Sequence, residues 1–355
     1  MRLGLWGARM DNTGLGYQTL GFYKHLKPTK TAVIDISSWE RTPSRVMKQY
    51  PKRYDDSVMF ITGLPTDAQM SEFLNDLDVV LIVESAYNLN FYKIAREKGV
   101  KTAVQYNYEF FDWILTPAYP RPDMFIAPSR WNYDIINDFC SANQIQHIYI
   151  HYPVDRSEIK FRHIDYAKKF VHIAGRPAAH DRNGTYTFLQ AISQDENNII
   201  KGIVYTQDKD LIKEIKAEYP SVEVRQTANH AEMYKKGDVL VLPRKYGGNC
   251  LPMNEALSAG MPVIMTNLSP QDSLLPQEWL VSATENKDID FVPRTKILVY
   301  ECSPHELYLK MAWLHSLSTQ DMAEQNKRAN IIADSISWDT LRPMYETALE
   351  SLCHQ

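Results

Sequence analysis

The chain has 355 residues, 44% hydrophobic and 23% charged, the proportions of a globular protein with enough apolar material for two cores. Its 39 Lys and Arg against 43 Asp and Glu give a net charge of −4, which argues against a polybasic tail or a broadly cationic nucleic-acid binder and leaves room for a local basic patch. Four scattered cysteines (Cys140, Cys250, Cys302 and Cys353), with no CxxC, argue against a disulfide framework or a zinc module. No apolar run reaches the roughly 18–20 residues of a membrane span. The opening Met1-Arg2-Leu3-Gly4-Leu5-Trp6-Gly7 is too soon polar for a secretory leader, so a reduced, soluble, cytoplasmic protein is expected.

In chain order, short apolar runs at residues 2–7, 30–36, 58–62, 79–83, 102–106, 124–127 and 145–151 predict strands. They alternate with amphipathic stretches at 17–26, 69–77, 90–98 and 132–142. After His151-Tyr152-Pro153-Val154-Asp155 a second series begins, with strand runs at 170–174, 199–205, 222–225, 239–243, 262–265 and 296–300. Its helical stretches are 187–193, 210–219, 231–236 and 253–259, and helices at 304–316, 319–335 and 339–352 close the chain. Alternation of this kind predicts α/β architecture in two Rossmann-like, doubly wound domains. The expected domains are 1–152, 153–330, and a C-terminal helix in 331–355 packing back on the first. Open parallel sheets bind ligands at their strand C-termini, so the loops there carry the functional reading, in a cleft between the domains.

Three loops stand at such positions. Asp11-Asn12-Thr13-Gly14-Leu15-Gly16 joins the first strand to the first helix, where free N–H groups and the helix dipole favour an anion. It is neither a Walker A loop, lacking the Lys-Ser/Thr, nor a full GxGxxG, since Thr19 stands where the third glycine would be. Ala174-Gly175-Arg176-Pro177, with Arg182-Asn183-Gly184-Thr185 beyond it, sets two guanidinium groups beside a strand end, a donor set suited to a diphosphate. The third and richest block runs from Pro243 to Ile264. A strand enters Gly247-Gly248-Asn249-Cys250-Leu251, a helix carrying Glu255 follows, and Gly260-Met261-Pro262 leads into another strand. Consecutive amides at Gly248–Leu251 can donate to sugar hydroxyls or phosphate, and a carboxylate one turn into the helix can accept two hydrogen bonds from a vicinal diol such as ribose.

This block resembles the nucleotide-sugar site of GT-B glycosyltransferases, in particular the retaining enzymes of glycosyltransferase family 4. Their pattern Leu-Pro-x-x-Glu-Ala followed by Gly-x-Pro-Val-Ile is matched from Leu251 to Ile264. Gly14 and Gly16 fall at the family's N-domain glycine loop, Gly175-Arg176 at its Gly-Arg, Pro128-Ser129 before its hinge and Ser337-Trp338 at its crossover helix. The stretch Gln105-Tyr106-Asn107-Tyr108-Glu109-Phe110 and the Tyr-Gly-Gly block are similar to phage-encoded members. The resemblance implies a first domain on the acceptor side and a second that holds the nucleotide-sugar. It implies a donor, expected to be a UDP-sugar, bound by Gly14, Leu15, Gly16, Gly175, Arg176, Arg182, Gly247, Gly248, Asn249, Cys250, Leu251 and Glu255. Arg176 and Arg182 would neutralise the leaving diphosphate, Glu255 would hold the ribose, and no metal or further cofactor is expected. Asn107, Tyr108 and Glu109 would bind the acceptor; where members often carry a histidine near the donor sugar, after the fourth strand, this chain offers Gln105, Asn107, Tyr108 and Glu109 instead. The family's first glutamate, eight positions before Glu255, is Gly247 here, and its lysine after Gly-Arg has no clear match, with Arg182 the nearest cation.

Residues 1–53 hold ten Lys and Arg against three carboxylates, a surplus of seven on the acceptor side, interleaved with Trp39 and Tyr50; Tyr54 follows. Steering of DNA phosphates is one reading and a solvated helix face the other. The expected reaction is retaining transfer to a hydroxyl, with 5-hydroxymethylcytosine in phage DNA as the first acceptor, so that the chain would act in the host cytoplasm. A virion protein or glycan acceptor is the alternative, as is a non-catalytic nucleotide-sugar-binding protein; a GT-B sugar-nucleotide epimerase is a further rival. His147 and His151 sit in an alternating strand pattern rather than a ligand pair. Asp208-Lys209-Asp210 and Asp288-Ile289-Asp290 spell DxD, which helix capping explains for the first.

Overall fold

The computed structural model describes residues 1–8, 13–35, 54–111, 120–175, 181–227, 229–292 and 295–354, without the side chains of residues 8, 287–292 and 295. They form two compact units, Met1–Pro153 with Trp338–Gln355, and Val154–Ser337.

In the first unit the strands are β1 (Leu3–Ala8), β2 (Lys30–Asp35), β3 (Met59–Thr62), β4 (Val79–Val83), β5 (Lys101–Gln105), β6 (Met124–Ala127) and β7 (Gln146–Tyr149). They pair in the order β3-β2-β1-β4-β5-β6-β7, every pair parallel. The connecting helices are α1 (Gly14–Leu26), α2 (Asp67–Leu74), α3 (Asn90–Glu97) and α4 (Tyr133–Ala142). β4 and β6 are buried along their whole length, which is why both read as unbroken apolar runs rather than alternating ones. Thr66 and Gln69 make a capping box that fixes the start of α2. Trp6 anchors the core against Phe73 and Phe91 while its indole N–H donates to the Ala86 carbonyl at 3.1 Å. The C-terminal helix Trp338–Cys353 belongs to this unit: Trp338 stacks on His25, and Tyr345 meets Phe22 edge-on.

In the second unit β8 (Lys169–Gly175), β9 (Lys201–Thr206), β10 (Glu223–Arg225), β11 (Val239–Leu242), β12 (Val263–Thr266) and β13 (Leu280–Val281) form a parallel sheet in the order β10-β9-β8-β11-β12-β13. Its helices are α5 (Thr185–Ile192), α6 (Lys209–Glu218), α7 (Leu251–Ser258), α8 (Pro304–Ser316) and α9 (Thr319–Ser335). Both sheets are therefore doubly wound, with the strand order reversing between β1 and β4 in one and between β8 and β11 in the other. The run at 296–300 is not part of the parallel series. It belongs to β15 (Thr295–Cys302), which pairs antiparallel with β14 (Ala283–Val292) as a separate two-stranded ribbon. The stretch at 231–236 is also corrected: it is a 3-10 turn, His230–Tyr234, rather than an α-helix.

Candidate functional site

The C-terminal edge of the second sheet, at its switch point, is built by two loops. One leaves β8 at Gly175, which is held by Thr206 Oγ1 donating to its carbonyl at 3.2 Å. Arg176, and residues 177–180 after it, lie outside the described residues. The loop resumes at Asp181, whose carboxylate accepts the amides of Thr185 (2.7 Å) and Tyr186 (3.1 Å), so the first turn of α5 is already capped by its own chain. Asn183 Nδ2 donates back to the Ile173 carbonyl at 3.0 Å and fixes the loop on β8. Gly184 has φ +71°, and a Cβ there would strike the Pro243 carbonyl, so the two loops approach at a distance only glycine permits.

The second loop leaves β11 at Leu242. Lys245 N donates to the Arg182 carbonyl at 2.9 Å, and its Nζ lies 2.7 Å from Glu301 and 4.0 Å from Asp181, so the β14–β15 ribbon braces this loop from outside. The Arg182 guanidinium lies 5.4 Å from the centre of the Tyr246 ring. Arg244 is 5% exposed, and its Nη1 donates to the carbonyls of Gly248 (3.4 Å) and Asn249 (3.3 Å). Gly247 has φ +118°, and a Cβ on it would stand 2.6 Å from both Arg182 Nε and Arg244 Nη2. Two guanidinium groups thus converge on the position where the resemblance implies a glutamate. Arg244 escaped the sequence reading because nothing local distinguishes it from any loop arginine.

Gly248 and Asn249 lead to Cys250, the buried N-cap of α7, whose first turn has no side-chain cap and a proline at Pro252. Both polar atoms of the Asn249 amide are buried and have no hydrogen-bond partner among the described residues. An amide left so costs about 1–3 kcal/mol per lost bond, which a ligand bearing hydroxyls would recover.

Glu255 stands in the second turn of α7 and is 9% exposed. His230 Nε2 lies 2.5 Å from its Oε1, and the Tyr234 hydroxyl donates to its Oε2 at 2.5 Å. The 3-10 turn His230–Tyr234, started by Asn229 accepting the Ala231 amide, delivers both groups to the carboxylate. A carboxylate offers about four lone-pair directions. Tyr234 takes one on Oε2, His230 Nε2 stands against Oε1, and both oxygens keep capacity for a further donor, the valence a vicinal diol needs. His230 and Tyr234 were also absent from the sequence reading.

Beneath both loops lies His172, fully buried and stacked on Phe188. Val241 offers only a carbonyl, so Nδ1 carries the proton and donates to it at 2.8 Å, while Nε2 accepts from Thr185 Oγ1 at 3.0 Å. Burial pushes its pKa down from the ordinary 6.5 to about 4. The unfolded chain therefore takes the proton first as pH falls. The stabilisation is complete above 6.5, is lost progressively down to about 4, and is gone below it. Between pH 7.5 and 4.5 the wild type should lose about 2–3 kcal/mol more unfolding free energy than His172→Gln, read by urea titration at the two values. Equal losses would contradict a neutral His172.

In the first unit, α1 begins at Gly14-Leu15-Gly16, with Thr13 Oγ1 accepting the Gly16 amide at 3.4 Å. Asn107, Tyr108 and Glu109 follow β5: Asn107 Nδ2 donates to Glu84 at 2.7 Å, Tyr108 meets Trp131 edge-on at 5.1 Å, and Glu109 is buried. Of the ten basic residues in 1–53, Arg9, Arg41, Arg45, Lys48, Lys52 and Arg53 lie outside the described residues, as do Trp39 and Tyr50. Arg2 is paired with Asp78. Asp208 caps α6 through the amides of Asp210 and Leu211, and the side chains of Asp288 and Asp290 are not described. His147 meets Tyr106 at 3.0 Å and His151 meets Tyr149 at 3.3 Å. Among the described residues no group of three or more His, Cys, Asp or Glu is placed to hold a metal ion, and no helix is long and apolar enough to cross a membrane.

Residues 168–299 match the family described as glycosyl transferases group 1. No curated protein matches the chain by sequence. Among solved structures the chain is similar to Anabaena HepE in complex with UDP, at 13% identity and a TM-score of 0.67 over 99% of this chain and 100% of that one. It is also similar to a glycosyltransferase from Rickettsia africae, at 11% identity and a TM-score of 0.66 over 99% and 98% of the two chains. A trehalose-6-phosphate protein from E. coli bound with UDP-2-fluoro glucose superposes at 9% identity and a TM-score of 0.64 over 98% and 99%. The fold is GT-B, and the second unit carries the glycosyl transferases group 1 match.

Proposed function

We propose that the chain moves a sugar from a UDP-sugar to a hydroxyl acceptor with retention of anomeric configuration. The observation that carries this reading is the Glu255 carboxylate, fixed by His230 and Tyr234 with capacity for a further donor on each oxygen, beside a loop crowded by two guanidinium groups. Glu255 takes the 2′- and 3′-hydroxyls of the ribose. Arg182, with Arg176, neutralises the diphosphate as charge develops on it, so the leaving group needs no metal counter-ion. The Asn249 amide and the backbone from Gly248 to Leu251 orient the transferred sugar, and Gly175 and Gly247 give the backbone room to approach it. Gly14, Leu15 and Gly16 are the donor candidates of the first unit, whose role is to hold the acceptor. UDP is favoured over other nucleotides by the UDP and UDP-2-fluoro glucose bound in two similar structures.

The proposed chemistry uses no side chain as nucleophile, as the family resemblance implies. The acceptor oxygen attacks the anomeric carbon from the face the diphosphate leaves. The bond from that carbon to the phosphate oxygen breaks with its electron pair going to the diphosphate, and a phosphate oxygen takes the acceptor's proton.

The test incubates the protein with UDP-, GDP- and ADP-sugars, with and without chelator. The acceptors are hydroxymethylcytosine-containing DNA, virion protein and oligosaccharides, and products are read by mass spectrometry and anomeric NMR. UDP release coupled to a product of unchanged anomeric configuration, undiminished by chelator, is the expected result. Inversion, chelator-sensitive turnover, or binding of UDP-sugar with no transfer to any acceptor would each overturn a stated part of the reading. Transfer to the DNA would identify the acceptor expected from the basic first 53 residues.

A further inference from the structure

The two loops at the switch point of the second sheet carry more positive charge than a neutral sugar calls for. Residues 176–184 and 243–250 hold Arg176, Arg182, Arg244 and Lys245 against one carboxylate, Asp181. Lys245 is answered by Glu301 at 2.7 Å and by Asp181 at 4.0 Å. Arg176 and Arg182 match the single charge on each phosphate of a nucleotide-sugar diphosphate. Arg244 is a further cation, beyond those the diphosphate uses.

The geometry sets this cation against a like charge. Arg182 Nε and Arg244 Nη2 both lie 2.6 Å from the point a Cβ on Gly247 would occupy, so the two guanidinium groups stand close together. Arg244 and Tyr246, the ring beside Arg182, are buried. Like charges brought together where water is scarce repel strongly, and an anion placed against them relieves that repulsion. Arg244 is also held in place. Thr266 Oγ1 donates to its carbonyl, and Gln271 Nε2 donates to Thr266 Oγ1 at 3.1 Å, both side chains buried at the end of β12. Its Nη1 is spent on the carbonyls of Gly248 and Asn249, which leaves Nη2 as the atom facing Gly247.

We propose that the transferred sugar is acidic: the donor is a UDP-hexuronate whose carboxylate binds Arg244, with Arg182 shared between that carboxylate and the diphosphate. The proposal deepens the UDP-sugar reading and rests on it for the nucleotide and for the sugar lying beside Gly247. A guanidinium only donates, and its planar fork matches a carboxylate better than a hydroxyl, which is a weaker acceptor and itself needs an acceptor. The Asn249 amide, whose two polar atoms are buried without a partner among the described residues, supplies the mixed donor and acceptor that the neighbouring ring hydroxyls need. Glycine at 247 fits the same chemistry, because a carboxylate of the chain's own at that position would compete with the ligand for both cations. A neutral hexose brings no charge to set against the pair, so the site discriminates against it.

The experiment measures calorimetric binding of UDP, UDP-glucose, UDP-galactose, UDP-glucuronate, UDP-galacturonate and UDP-glucuronamide to the full chain. At least one uronate should bind roughly tenfold or more tighter than the hexose of the same configuration. The amide keeps the shape of the glucuronate and drops its charge, so it should bind like the glucose compound. In Arg244→Gln the ratio of uronate to hexose affinity should fall to about threefold or less, and Arg244→Lys should keep part of it. The wild-type ratio decides the matter even where Arg244→Gln does not fold. Hexoses bound as tightly as uronates by the wild type would overturn the proposal, as would a uronate preference that survives Arg244→Gln. Equal weakening of UDP, hexose and uronate in that variant would place Arg244 on the diphosphate and overturn it too. If the wild type binds none of these nucleotides, the donor reading falls and this one with it; if it binds UDP without preferring a uronate, this one falls alone.

Discussion

Glu255→Gln should bind UDP about 100-fold more weakly than the wild type while remaining folded. A hydrogen bond to a charged acceptor contributes about 1.5–3 kcal/mol, and in the proposed site the ribose diol would make two of them to this carboxylate. Glutamine keeps the volume, and its amide can still satisfy the Tyr234 hydroxyl and the His230 ring, which meet Glu255 at 2.5 Å each, so the 9% exposed position is not left with an orphaned group. The diagnostic comparison is with 2′-deoxy-UDP. The wild type should prefer UDP by roughly tenfold or more, and Glu255→Gln should lose most of that preference, because the variant removes the acceptor for the same hydroxyl. His230→Ala and Tyr234→Phe act through the carboxylate rather than on the ribose. Each should weaken UDP by about three- to tenfold, and neither should add its full effect to Glu255→Gln. Calorimetry of the four variants with both nucleotides decides it. UDP affinity within threefold of wild type in Glu255→Gln would remove the ribose role.

How much of this was legible beforehand depends on whether the signal is local. β4 and β6 were read to the residue, since a strand buried on both faces is an unbroken apolar run. Helices α8 and α9 were read to the residue as well, each opened by a serine whose hydroxyl caps the first amides. β14 was not legible: Ala283-Thr284-Glu285-Asn286-Lys287-Asp288-Ile289-Asp290-Phe291-Val292 has charged side chains at Glu285, Lys287, Asp288 and Asp290 and no continuous apolar face to read. Its partner β15 was recognised as a strand, but nothing in the run 296–300 says whether its neighbour is parallel. The block from Leu251 to Ile264 was legible because a helix start, a helix and a Gly-x-Pro turn are written in consecutive residues. What Glu255 touches was not. Tyr234 is 21 positions away, and its tyrosine is of the same kind as the other twenty in the chain. The convergence of Arg182 and Arg244 on Gly247 is likewise a product of two loops meeting across the β8–β11 switch point, and no spacing announces it.

Gly247→Ala should lower the rate of sugar transfer by about 100-fold, and Gly247→Glu, which restores the residue that the family resemblance implies, should rescue none of it. Two penalties act together. At φ +118° any L side chain is strained, by about 1–3 kcal/mol. The new Cβ would also collide with Arg182 Nη2 and stand 2.6 Å from Arg182 Nε and Arg244 Nη2, so both guanidinium groups must move. Arg244 in turn ties the Gly248 and Asn249 carbonyls, so its displacement loosens the backbone that leads into α7. Arg182 is the charge assigned to the leaving diphosphate, and loss of one such preorganised group costs about 100- to 1000-fold in turnover. A carboxylate at position 247 adds an internal ion pair that competes with the phosphate for both arginines, so glutamate should be no better than alanine. The discriminating measurement is the pair Gly247→Ala and Arg182→Ala, made singly and together, with UDP release followed at saturating donor. If Gly247 is needed because the guanidinium groups occupy the space its side chain would take, the double variant should be little slower than Arg182→Ala alone. Multiplying effects would mean that Gly247 serves the backbone of the loop instead. Near-wild-type turnover in Gly247→Glu would show that the arginines are free to yield, and that this site can still hold the transferred sugar through a carboxylate.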